Sequence, residues 1–312
     1  MPETMKSLLI FSLILLVGGR ATAELLSKSQ VYAQLPSIVK AVEIESTRRF
    51  LNPPKVTVLD RFDESLVSQL AAKRLLDFGD VDDIDKLQDQ LKFAEQVIRE
   101  TFTNGKIAGF YDVAAKEVFI LSYAIQDRCR DFHYNEEECN QRLLTIIAHE
   151  LTHNLQYQYH PNLLQKKIER RDDKSCTSRG TKGCDIVTAV LEGQAILVQS
   201  QVAKAMGYQY QIDPLTDFRN SLQYHRNRLD EVKFAEIEYV YNSIYFAGYS
   251  FVKAVYDKYG IKKTWALLND IPTSEEFSAA EPPAMNCLSA LSRKAGALAS
   301  RPPLVQELKR SN

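Results

Sequence analysis

The chain has 312 residues, 45% hydrophobic and 25% charged, with a formal net charge of −1. That length buries a substantial core in one domain or two subdomains, and the composition is that of an ordinary globular protein. A near-neutral balance with no basic stripe among aromatics excludes a dedicated nucleic-acid binder.

Residues 1–23 have the pattern of a secretory signal. Lys6 supplies a positive start, Leu8 to Val17 is apolar apart from Ser12, and Ala21-Thr22-Ala23 fits a small-residue cleavage site before Glu24. The apolar core is shorter than the ~20 residues that cross a bilayer. Cleavage and an extracytoplasmic protein, periplasmic or secreted, are therefore expected, with an uncleaved anchor as the alternative. No later stretch reads as a membrane span.

Apolar spacing over residues 36–50 predicts a helix with Pro36 in its first turn, ended by Asn52-Pro53-Pro54. Lys55–Leu59 is rich in β-branched residues and predicts a short strand. Helices follow over 63–78 and 83–102, each with an Asp near its start. Residues 107–111 and 117–121 are two β-prone runs joined across Asp112-Val113-Ala114-Ala115, which predicts a hairpin. Cys129 and Cys139 bracket an acidic stretch, and Cys176 and Cys184 bracket a Ser/Thr/Gly/Lys stretch. Both pairs are expected as local disulfides, each worth on the order of 2–3 kcal/mol. Cys287 is left over as a free or intermolecular thiol.

The next segment carries chemistry. His149-Glu150-Leu151-Thr152-His153 closes an apolar run with no Gly or Pro before Pro161. Histidines four apart on a helix lie about 40° apart around its axis, so both imidazoles can reach one ion. The glutamate beside the first histidine can then serve a bound water as general base. Two histidines do not complete a zinc site, and Glu192, in Leu191-Glu192-Gly193-Gln194-Ala195, is the candidate third ligand. Between them, the basic cluster 166–171 reads as a solvated loop with internal charge pairing. Residues 186–206 predict the helix bearing Glu192, and further helices are expected over 216–228, 245–259 and 265–269. Residues 281–312 read as a loosely attached tail. The expected class is α+β, mostly helical. Subdomain 24–160 holds a small sheet with an edge hairpin and the active-site helix, and a helical subdomain 161–280 carries the third ligand.

The order strand, helix, hairpin, helix with paired histidines, then a helical part with a Glu resembles the zincin fold of the gluzincin metallopeptidases. Glu192-Gly193-x-Ala195 is similar to the Glu-Gly-x-Ala of a loose set of secreted bacterial zinc metallopeptidases. Gly109-Phe110-Tyr111-Asp112, the Tyr245-x-x-Gly248-x-x-Phe251 helix and Pro272-Thr273-Ser274-Glu275-Glu276 also look like that group. These motifs span about residues 105–277, and the segment after Glu276 departs from the pattern. The resemblance implies one zinc ion on His149, His153 and Glu192, with Glu150 as base. It also implies a Tyr or His as oxyanion donor, with Tyr245 first and Tyr249, Tyr241 and His225 behind it. The metzincin pattern fails, because Gln156 and Tyr159 stand where it needs Gly and His, and His160 reads as a helix-end histidine.

The implied activity is a zinc-dependent endopeptidase acting on proteins or peptides. The rivals are a zinc hydrolase on a non-protein amide or cell-wall peptide, and a noncatalytic zincin-fold binding module. An intact Glu150 speaks against the last. The hairpin has two readings of equal weight: an edge strand that pairs with an extended peptide, or one that only completes the sheet.

Overall fold

The computed structural model describes residues 25–78, 84–103, 107–171, 186–208, 214–227, 229–273 and 276–277. The expected signal sequence, the expected Cys176–Cys184 disulfide, Cys287 and the segment 281–312 expected as a tail lie outside them.

The first helix, α1 (Lys28–Ser46), begins eight residues before Pro36 rather than at it. Ser27 caps it reciprocally with Gln30: the Gln30 N–H donates to Ser27 Oγ, and the Ser27 N–H to Gln30 Oε1 at 2.8 Å. Pro36 then falls on the exposed face, where water can meet the carbonyl its ring leaves unpaired. The helix also stops earlier than expected. Thr47 takes the left-handed conformation (φ 56°) and Arg48 N–H closes back on the Glu43 carbonyl. A threonine in a position that usually favours glycine hides the stop in the sequence.

Strand β1 (Lys55–Leu59) is followed by α2 (Glu64–Phe78) and α3 (Ile84–Thr103). The hairpin β2 (Gly109–Asp112) and β3 (Glu117–Leu121) comes next. The sheet order is β1-β3-β2, with β1 parallel and β2 antiparallel to the central β3. Alternation gives the sheet two buried faces. Val56, Val58, Val118 and Ile120 point into the main core, whereas Leu59, Phe110, Phe119 and Leu121 pack with Val67, Leu70, Ile98 and Phe102 of α2 and α3. Arg74 of α2 binds the buried carboxylate of Asp112 through Nε at 2.9 Å and Nη2 at 2.8 Å. The other Asp112 oxygen accepts the Ala115 N–H at 2.7 Å. The hairpin end is thereby tied to α2.

Helix α4 (Ser122–Asp131) was not evident in the sequence and leads into α5 (Glu136–Tyr159), the histidine helix. Asn135 and Glu138 cap α5 reciprocally at 2.9 Å, and Glu136, Glu137 and Glu138 favour the positive end of its dipole. The expected Cys129–Cys139 disulfide is present, with both cysteines in the main core, and joins α4 to the first turn of α5. The basic cluster is helix α6 (Leu163–Arg171), not a loop. Leu163 is fully buried, and Lys166 Nζ donates to the Leu268 and Asn269 carbonyls at 2.9 and 3.2 Å.

Helix α7 (Ile186–Ala205) carries Glu192 and packs between α5 and a later helical run. By length and composition α7 could cross a membrane, contrary to the sequence reading. However, 72% of its most apolar stretch is buried in the protein, where Val190, Leu197 and Val202 are core residues. Then come α8 (Pro214–Arg226) and α9 (Glu231–Val240), followed by a π-helical segment (Tyr241–Phe246), α10 (Ala247–Tyr259) and α11 (Ile261–Ala266). The helix expected to start at Tyr245 therefore runs unbroken from Glu231, with Tyr245 in its widened turn.

Candidate metal centre

His149 and His153 project from one face of α5, with ring centroids 4.7 Å apart and Nε2 atoms 3.1 Å apart. Glu192 enters from α7. Its Oε2 lies 3.2 Å from His149 Nε2 and 3.4 Å from His153 Nε2. The three side chains keep 14%, 12% and 18% of their surface exposed, so the cluster is largely buried but not sealed from solvent. A tetrahedral ion with bonds of ~2.0–2.1 Å separates its ligand atoms by roughly 3.3 Å. The observed triangle, with sides of 3.1, 3.2 and 3.4 Å, has that size. The charges agree. Burial disfavours a charged His153, but Glu192 and Glu150 outweigh it and push the imidazole up to about 9. Burial would raise the Glu192 carboxyl, yet His153 and His149 hold it well below the usual carboxylate range.

Glu150 turns from the same helix toward the sheet and is 7% exposed. Leu121 N–H donates to the Ala108 carbonyl at 2.8 Å, which sets the phase of the hairpin ladder. In that phase Phe110 and Asp112 bond to β3, while the main-chain groups of Gly109 and Tyr111 face away from β3. The Tyr111 N–H donates to the Glu150 carboxylate. Gly109 makes room for it, since a Cβ there would lie 3.0 Å from Glu150 Cγ. Burial raises the Glu150 pKa most; the two histidines and the Tyr111 N–H oppose that, and Glu192 adds to it.

Two glycines explain the approach of α10 to α7. A Cβ on Gly193 would stand 2.2 Å from the Gly248 carbonyl oxygen, and one on Gly248 would stand 2.0 Å from the Ala189 oxygen. The backbones touch where side chains would otherwise hold the helices apart. This crossing lies one residue from Glu192 and three from Tyr245. The Tyr245 phenol is held well above its ordinary value by Glu192 first, then by burial, Tyr241 and Glu150. Its ring stands 5.5 Å from Tyr241, which in turn stands 5.9 Å from the ring of the buried His225. A π turn at such a position is common near functional residues. Tyr249 is buried in the main core instead.

Sequence reasoning missed the groups that face the other ring nitrogens. His149 Nδ1 is 3.1 Å from Gln199 Oε1, and His153 Nδ1 is 2.8 Å from Gln156 Oε1. The buried Gln156 also donates from Nε2 to the Leu191 carbonyl at 3.0 Å and to Gln194 Oε1 at 2.8 Å. A faint signal existed: Gln156 follows His149 by seven residues and Gln199 follows Glu192 by seven, which returns each to its ligand's helix face. His160 caps the C-terminus of α5 and takes no part in the cluster.

Among the described residues, His149, His153 and Glu192 are the group of three able to hold a metal ion, with ligand atoms within 4.8 Å of one another. No protein-family model, curated protein or solved structure matches the chain.

Proposed function

We propose that this protein is an exported zinc-dependent peptidase of zincin type, with His149, His153 and Glu192 holding one zinc ion and Glu150 acting as general base. The observation that carries the reading is the triangle of two Nε2 atoms and one carboxylate oxygen at 3.1–3.4 Å. The order of strand, hairpin, histidine helix and Glu-bearing helix supports the zincin type. Export is supported by the apolar run Leu8 to Val17 and by the Cys129–Cys139 bond, since disulfides persist in oxidising compartments.

Zinc bound by two imidazoles and a carboxylate supplies a Lewis acid and lowers the pKa of its water toward ~7. Burial raises the Glu150 pKa above its ordinary value, the direction that strengthens a carboxylate as a base. It takes the proton of the attacking water and passes it to the departing amine nitrogen. The Tyr111 N–H fixes the carboxylate for that transfer. Tyr245, kept protonated, can donate to the oxygen that becomes negative on the scissile carbonyl. With its N–H taken by Glu150, Tyr111 leaves its carbonyl on the outer edge of β2 as the group with which an extended peptide can pair beside the base.

Glu150→Gln tests the assignment. The amide is nearly isosteric but cannot accept a proton, so zinc content should stay near normal while peptide cleavage falls ~10²–10⁴-fold or more. A variant that retains zinc and cleaves at the unmutated rate removes Glu150 from the mechanism. Zinc binding by the unmutated protein without cleavage of any member of a broad peptide library favours a noncatalytic module.

A further inference from the structure

We infer that Gln156 and Gln199 are positioning residues that select which nitrogen of each imidazole faces the metal. The inference rests on the metal assignment above and adds how the ligands are prepared for it.

The argument begins at Gln156, whose amide can be oriented only one way. A backbone carbonyl accepts and never donates, so the Gln156 atom 3.0 Å from the Leu191 oxygen is the NH₂. The Gln194 oxygen at 2.8 Å takes the second N–H. Oε1 is then the atom turned to His153, at 2.8 Å from Nδ1. An amide oxygen only accepts, so Nδ1 carries the proton and Nε2 is left for the ion. Gln156 is fully buried, so no water competes for these bonds. Leu191 directly precedes Glu192, so one side chain joins the second ligand on α5 to the residue before the third ligand on α7.

Gln199 repeats the arrangement from the opposite helix. It stands seven residues after Glu192 on the same face of α7, and its Oε1 lies 3.1 Å from His149 Nδ1. The His149 ring is thereby held at both nitrogens by α7, with Gln199 on Nδ1 and Glu192 3.2 Å from Nε2. Ligating histidines generally give their second N–H to a carboxylate, a backbone carbonyl or water, and loss of that partner weakens metal binding 10–100-fold. Here both partners are neutral amides, which fix the rings without adding charge beside Glu150 and Glu192.

The test combines chelator competition for zinc, long-range ¹H–¹⁵N spectra of the zinc-loaded full chain, and variants at both glutamines. Both imidazoles should show Nδ1–H with zinc on Nε2. Gln199→Leu, at a half-buried position, should bind zinc about 10–100-fold more weakly while the metal-free protein unfolds at an unchanged temperature. Gln199→Glu, which keeps an acceptor on Nδ1, should restore most of the affinity. Gln156→Leu should weaken zinc binding at least as much. If it fails to fold, Gln199 and the ring-nitrogen assignment decide. Zinc on either Nδ1, or unchanged affinity in Gln199→Leu, overturns the inference while leaving the metal site standing. Unmutated protein that takes up no zinc removes the metal site itself, and the inference with it.

Discussion

Replacing Gly193 with alanine places one methyl group where two helix backbones touch. The new Cβ would lie 2.2 Å from the Gly248 oxygen, 2.3 Å from the Gly248 carbonyl carbon and 2.7 Å from Tyr249 N. Ordinary contact begins near 3.4 Å, so α7 and α10 must part by about 1.2 Å at this point. No flexible side chain can give way, because all three obstacles are backbone. Overpacking of this kind costs ~1–3 kcal/mol, and the rigid obstacle puts Gly193→Ala at the upper end. For a protein of this size about 3 kcal/mol lowers Tm by roughly 5 °C. Glu192 moves with its neighbour, and a displacement near 1 Å at a site this exact costs up to ~10²-fold in function. Thermal unfolding of the metal-free protein and chelator competition for zinc should therefore both register the change. Gly207→Ala is the control: no atom lies within 4 Å of its Cβ, but its φ of 68° strains any side chain. That variant should lose about 1 kcal/mol and keep its zinc affinity. Gly193→Ala with unchanged Tm and zinc affinity would refute the close crossing and the placement of Glu192 that depends on it.

Opening the Cys129–Cys139 bond by reduction or paired Cys→Ala substitution should lower stability by ~2–3 kcal/mol, read as an earlier thermal transition. Coincident transitions before and after reduction would show that the bond does not restrain the unfolded chain. Zinc uptake should depend on pH through His153. Its pKa in the metal-free fold is raised from 6.5 to about 9, so its stabilising charge is fully present below 6.5 and is lost as pH rises through 9. Zinc needs the neutral ring, so uptake at neutral pH should release a proton, and apparent affinity should rise with pH up to about 9. Calorimetry in buffers of different ionisation enthalpy measures that proton; a buffer-independent enthalpy would contradict the protonated His153.

The parts of this protein legible in its sequence are those written in local spacing. His149 and His153 share a helix face because they stand four apart, and the hairpin shows as two β-prone runs around a turn. Helices α4, α6 and α9 escaped notice because each is only nine or ten residues long and rich in charged residues, which makes such a segment read as a connection. The parallel pairing of β1 with β3 joins strands separated by two helices and a hairpin strand, which no local pattern encodes. Glu192 was reachable through resemblance, but its distance to the histidines depends on α7 crossing both α5 and α10. The glycines that permit the α10 crossing, Gly193 and Gly248, stand far apart in the sequence. Gln156 and Gln199 were invisible for a related reason: a glutamine acquires its role here only from the ring nitrogen it meets.

The central claim is that the His149–His153–Glu192 triangle is a catalytic zinc site. Its most direct test is metal analysis of the purified protein, with peptide cleavage followed before chelation, after chelation and after zinc is restored. The account predicts one zinc per chain, cleavage that disappears with the metal and returns with it, and loss of both in Glu192→Ala. Full peptidase activity in protein stripped of metal, or one zinc per chain retained by Glu192→Ala, would contradict it.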